Sequence, residues 1–140
     1  MEKIKLITGV MVDIHNLGLR VLEPALTHAD FEVIYIGARL SQEDFIHAAL
    51  ETDADAILVS SSNGHAEIDA KGMREKCKEA GLENILLYIG GNLVVGQQQR
   101  EWSEVHDLFK KMKFDRVYPT SVLPQEVVKD LRVDLGICET

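Results

Sequence analysis

Short apolar runs alternate along the chain with longer stretches whose apolar positions recur every three or four residues, a pattern that predicts strands and helices in turn. Ile4–Val10 opens as a strand, and Leu17–Ala29 follows as a helix with Leu22, Ala25, Leu26 and Ala29 on its apolar stripe. Pro24 conflicts with that helix, because it removes a backbone donor and predicts a kink or a delayed regular part. Phe31–Ile36 is a second strand, ended by Gly37. Ser41, with Asp44 three positions later, reads as a helix start, and Phe45, Ile46, Ala49 and Leu50 supply the buried stripe. Ala56–Val59 is wholly apolar between Asp55 and Ser60, as a strand covered on both faces requires. A helix is predicted from about Glu67 to Ala80, with Gly81 as its stop. Ile85–Ile89 is the fourth strand, and the helix starting near Arg100 or Glu101 buries Val105, Leu108, Phe109 and Met112. Arg116–Tyr118 is a short fifth strand broken by Pro119; Pro124 then starts a last helix with Val127, Val128 and Leu131 turned inward.

Five strands alternating with five helices predict an α/β fold: a doubly wound, five-stranded parallel sheet in the flavodoxin-like order 2-1-3-4-5, Rossmann-like, with residues 1–140 forming a single domain. Ligands of such sheets bind outside the carboxyl ends of the strands, at the switch point between strands 1 and 3. The loops that converge there are Asp13–Gly18, Ser60–Gly64 and Gly90–Gly96, all rich in Gly, Ser or Asn, which let backbone approach a ligand closely. The first of them, within Gly9-Val10-Met11-Val12-Asp13-Ile14-His15-Asn16-Leu17-Gly18, brings one imidazole, one carboxylate and one flexible backbone point to a sheet edge, which makes His15 a candidate metal ligand. Taken singly, each loop has a plainer reading: a capping Asp beside a surface His, a serine turn, a strand-end bend. Three such loops on one predicted edge favour a ligand site.

Composition narrows the classes. The chain has 140 residues, 46% of them apolar and 27% charged, enough for one core. Its formal net charge of −8 argues against a nucleic-acid partner, since neutralising phosphates takes clustered Lys and Arg. The densest basic group, Lys110, Lys111 and Lys113, reads as a solvated helix end. With no long apolar segment, neither a membrane span nor a signal sequence is expected, and the protein is read as cytoplasmic. Cys77 and Cys138 form no CxxC or Cys/His pattern and read as reduced, structural thiols. His28, His47, His65 and His106 fall in or beside helices, and Trp102 and Tyr118 read as core or rim aromatics.

The spacing of the three loops resembles a known signature. Asp13-x-His15-x-x-Gly18, Ser60 after 41 intervening residues, and Gly90-Gly91 after 27 more beyond Ser62 look like the cobalamin-binding motif of the adenosylcobalamin-dependent isomerases and methionine synthase. Over nearly the whole chain the resemblance is closest to the small subunits of glutamate mutase (methylaspartate mutase). It rests on Ala54-Asp55-Ala56-Ile57-Leu58-Val59-Ser60-Ser61, Glu67-Ile68-Asp69, Lys71-Gly72, Glu79-Ala80-Gly81-Leu82 and Gly90-Gly91-Asn92-Leu93-Val94-Val95-Gly96. Ser62 departs from the family's usual leucine and Asn63 from a more aromatic position, changes that loosen the pocket for the cofactor's tail.

The resemblance implies the cobalamin-binding subunit of a carbon-skeleton mutase: an isomerase component, not itself catalytic, that acts with a separate large subunit expected to be a TIM-type barrel. His15 would be the lower axial ligand of cobalt in adenosylcobalamin, and Asp13 would hold its other ring nitrogen. The corrin brings four equatorial nitrogens, which accounts for a single protein ligand without a cluster. Val12, Ile14, Asn16 and Gly18 would complete the first loop. Ser60, Ser61, Ser62, Gly90, Gly91, Asn92, Leu93, Val94, Val95 and Gly96 would line the slot for the nucleotide tail, with Ile14, Leu93 and Val94 as an apolar border. The helix carrying Pro24 is expected to order as that tail docks. A corrinoid carrier for methyl transfer would bind the same cofactor but usually has a helical domain ahead of this fold. A phosphoacceptor receiver would need an aspartate where Ser60 stands, and a flavodoxin-like carrier would need a Ser/Thr-rich loop after the first strand.

Overall fold

The computed structural model describes residues 3–11, 17–61, 69–91, 102–119 and 122–137. In chain order the elements are β1 (Lys5–Val10), α1 (Leu17–His28), β2 (Glu32–Tyr35), α2 (Gln42–Thr52), β3 (Ala56–Ser60), α3 (Met73–Glu79), β4 (Leu86–Gly90), α4 (Trp102–Lys111), β5 (Arg116–Tyr118) and α5 (Pro124–Asp134). The strands form one sheet in the order β2-β1-β3-β4-β5, every neighbouring pair parallel. This is the doubly wound α/β fold that the alternating pattern predicts.

Strand side chains divide between two cores with the two-residue period of a pleated sheet. Ile7, Met11, Ile57, Val59, Leu87 and Ile89 pack with Phe45 and Ile46 of α2, Met73 and Cys77 of α3, and Val105 and Phe109 of α4. Leu6, Ala56, Leu58 and Tyr88 turn to the other face and meet Leu26 of α1 and Val127, Val128 and Leu131 of α5. Helices cover both faces of β1 and β3, which is why apolar residues of these strands point to both sides of the sheet.

Local signals place the helices. Ser41 caps α2, accepting from the Asp44 amide while the Asp44 carboxylate accepts from the Ser41 amide, a complete capping box. Pro124 occupies the first turn of α5. After α3, Gly81 takes φ +90° and the Leu82 amide reaches back to the Cys77 carbonyl, closing the helix.

Three expectations need correction. α1 runs unbroken through Pro24; the burial of Leu26 and the packing of Leu22 and Ala29 in the α1/α5 core hold its second half against the lost hydrogen bond. Leu50, expected in the buried stripe of α2, is 49% exposed, because Phe45, Ile46 and Ala49 already fill the face toward the sheet. The helix expected to run on to Ala80 does not pass smoothly through Lys71-Gly72: Asp69 and Ala70 are helical, Gly72 turns to φ +82°, and α3 begins at Met73. The start of that helix at Glu67 and of the next at Arg100 or Glu101 lie outside the described residues.

Candidate functional site

The carboxyl edge is assembled by ladder register. Val10, Ser60, Gly90 and Tyr118 stand side by side on β1, β3, β4 and β5. Beyond them the Met11 amide donates to the Ser60 carbonyl at 2.9 Å and the Ser61 amide to the Gly90 carbonyl at 3.0 Å, so pairing continues past the strands. Ser60, Ser61, Gly90 and Gly91, expected from different loops, are thereby brought together at the switch point. Gly18 lies in the first turn of α1. Val12, Asp13, Ile14, His15, Asn16, Ser62, Asn92, Leu93, Val94, Val95 and Gly96 lie outside the described residues, as do Asn63, His65 and Cys138.

Small size at this edge is enforced by close approach. Gly91 has φ +110°, and a β-carbon there would lie 2.3 Å from the Ser61 carbonyl oxygen, so only glycine fits. A β-carbon on Gly90 would press against Cβ of Tyr118 at 3.3 Å. Ser61 itself is fully buried, and its hydroxyl has no hydrogen-bond partner among the described residues. A buried hydroxyl left unpaired costs roughly 1–3 kcal/mol.

Two polar groupings on the α1/α5 face of the sheet are not evident from the sequence. Thr8, the one hydroxyl in the first apolar run, is fully buried and donates to Glu23 Oε2 of α1 at 3.2 Å, tying that helix to the middle of β1. The second joins β4 and β5 to α5. Tyr88 donates to Asp134, Arg116 grips both oxygens of Asp134 at 3.0 and 2.8 Å, and Tyr118 donates to Asp130 at 2.6 Å. Burial, then the bond to a carboxylate, pushes both tyrosine hydroxyls well above their ordinary pKa, while the Arg116 guanidinium holds Asp134 below the usual carboxylate range. The spacing of Arg116 and Tyr118 two apart, on the same side as Tyr88, was the available signal.

The remaining histidines and aromatics make local contacts. His47 pairs with Glu51 at 2.9 Å and His106 with Asp107 at 3.3 Å, all exposed, and Trp102 is 39% exposed beside His106. Tyr118 packs edge-on against Tyr88 at 5.8 Å, a rim aromatic. Among the described residues no three His, Cys, Asp or Glu side chains gather as a metal site. No described helix is long and apolar enough to cross a membrane.

The B12 binding domain family matches residues 5–109. The glutamate mutase sigma subunit of Carboxydothermus hydrogenoformans is 53% identical over 138 residues, covering 98% of this chain and 99% of that protein. The sigma subunit of Treponema denticola is 54% identical over 134 residues, 95% of each chain. Among solved structures, a cobalamin-binding protein from Desulfitobacterium hafniense DCB-2 superposes with a TM-score of 0.75 at 17% identity, over 95% of this chain and 60% of that one, a likeness of fold. The chain belongs to the B12 binding domain family and, within it, to the glutamate mutase sigma subunits.

Proposed function

We propose that this chain is the cobalamin-binding subunit of an adenosylcobalamin-dependent glutamate mutase, an isomerase interconverting L-glutamate and threo-3-methylaspartate, with His15 as the lower axial ligand of cobalt. The observation that carries the reading is the 53% identity to a glutamate mutase sigma subunit over 98% of the chain, with the close packing of Gly91 on the Ser61 backbone at the carboxyl edge compatible with it.

In this reading the Asp13 carboxylate accepts the N–H of one His15 ring nitrogen, which fixes the tautomer and leaves the other nitrogen's lone pair for the metal. Gly18 keeps the start of α1 slim beside the tail. Ser60, Ser61 and Ser62 offer hydroxyls, and the Gly90–Gly96 loop offers backbone amides. Bound adenosylcobalamin supplies the radical chemistry through its cobalt–carbon bond. The substrate site belongs to a large catalytic subunit of TIM-barrel type, and the complex works in the cytoplasm; this chain holds and orients the cofactor and does not itself touch glutamate.

Titration with cobalamin, followed by visible absorption, is the first test. The chain should give the spectrum of imidazole-ligated cobalt, and His15→Ala should lose that spectrum; an unaltered spectrum in the variant overturns the ligand assignment. Mutase turnover should appear only when a large subunit is added, and methyl transfer without mutase activity would move the chain to the corrinoid carriers.

A further inference from the structure

Leu50 belongs by spacing to the buried stripe of α2, yet it is half exposed. It does not stand alone. With Ile36, Leu40, Ile46 and Ala80 it lines an open hollow of about 920 Å³, walled by α2, α3 and the segment that follows β2. A single exposed leucine is ordinary, whereas an apolar floor shared by three pieces of chain is a surface another protein can fill.

Carboxylates surround that floor. Glu43, Asp44, Glu51 and Glu79 line the same hollow, against Lys76 and His47. Lys76 is already held by Glu43 at 2.8 Å, and His47 lies 2.9 Å from Glu51. Folding accounts for two of the four acids: Glu43 and Asp44 lie in the first turn of α2, where a negative charge suits the helix dipole and Asp44 completes the cap. Glu51 and Glu79 lie at the other ends, in the last turn of α2 and at the last residue of α3, where the dipole disfavours a negative charge. The Glu51–His47 pair is exposed on both sides, and such pairs add little. Stability would be served better by lysine at both positions.

The chemistry of the hollow fits an occupant that is aliphatic where it meets Leu50 and basic on its flanks. A second copy laid hollow to hollow would set carboxylates against carboxylates, in a chain of net charge −8. The position of the hollow points to a different protein. The Leu40 amide donates to the Val10 carbonyl at 3.0 Å and Leu40 bridges Met11, so one end of the hollow lies at the carboxyl edge beside β1. A protein that covers that edge can extend onto the hollow.

We propose that the hollow between α2 and α3 docks the large catalytic subunit, through a segment that presents an aliphatic side chain flanked by lysine or arginine. The proposal rests on the reading of this chain as a cobalamin-binding subunit and names where the partner grips it away from the cofactor. Two variants test it, Leu50→Gln and the double replacement Glu51→Lys with Glu79→Lys, alongside a glutamate mutase large subunit that gives turnover with the wild-type chain. Each full chain is measured for Tm, for cobalamin Kd and, loaded with cobalamin, for affinity to the large subunit at low and high salt.

The lysine pair is expected to leave Tm unchanged or higher and cobalamin Kd within about twofold, while weakening the subunit complex by about tenfold or more. Leu50→Gln should weaken the complex severalfold at the same cobalamin Kd. The wild-type complex should loosen as salt rises, and that of the lysine pair much less. Assembly of both variants within about twofold of wild type overturns the proposal, as does a weakened complex that appears only with a fall in Tm, which would trace the loss to folding. Self-association of the wild-type chain that either variant abolishes, with the large subunit bound as before, would give the hollow to a second copy and also overturn it. A wild-type chain that neither binds cobalamin nor supports turnover with any large subunit overturns the underlying reading instead.

Discussion

The two glycines of closest approach differ in what opposes them. At position 91 the obstacle is the Ser61 backbone 2.3 Å from a new β-carbon, on a residue with φ +110°; at position 9 it is the tip of the Leu40 side chain at 2.4 Å. Backbone cannot swing aside as a methyl group can. Gly91→Ala is expected to cost about 2–3 kcal/mol and to abolish tight cobalamin binding, whereas Gly9→Ala should cost about half as much. Urea unfolding with a cobalamin titration separates the two; equal losses would show that Leu40 cannot yield. The glycine pair stood out in the sequence only together with the other two loops, since Gly90-Gly91 after an apolar run also suits a plain strand-end bend. Gln42, buried with its amide donating to the Asp69 and Lys71 carbonyls, was not legible, because a polar residue just inside a helix start ordinarily faces water, and its partners are backbone atoms that no side-chain pattern reveals.

The element most dependent on polar contacts is α5, clamped to the sheet by Asp134 and Asp130. Asp134→Ala leaves the Tyr88 hydroxyl buried without its acceptor and Arg116 without its bidentate partner, and is expected to cost about 2 kcal/mol. Because Asp134 titrates below its ordinary value, its stabilisation is complete above the unfolded carboxylate pKa near 4 and is lost as pH falls through the folded value. Tyr88 and Tyr118 are raised, so theirs is complete below about pH 10 and is lost at more alkaline pH. Urea midpoints across pH should show the gap between wild type and Asp134→Ala closing in acid; a constant gap would remove the charge from the explanation. Element type was readable from periodicity, as the β5 range and the Ser41 cap of α2 attest. The break at Gly72 was hidden because the surrounding residues keep a helical apolar spacing across it, and the turn depends on a cap supplied by another helix.

At the scale of the molecule, alternation of strands and helices made the parallel doubly wound sheet legible, and the order β2-β1-β3-β4-β5 is the usual one for five such strands. The carboxyl edge then brings Ser60 and Ser61 beside Gly90 and Gly91, which are distant in sequence. One buried group lies on the sheet face served by α3. Cys77 is a free thiol within the core, and its burial pushes its pKa up, so it is both shielded and poor in thiolate. A thiol reagent can therefore reach it only when the seven-residue α3 lifts away, and alkylation becomes a clock for that opening. In a Cys138→Ser background, mass-detected labelling of Cys77 should be slow in the folded chain and slower still with cobalamin bound. Labelling at the rate of the denatured chain would mean that this helix is already off the sheet.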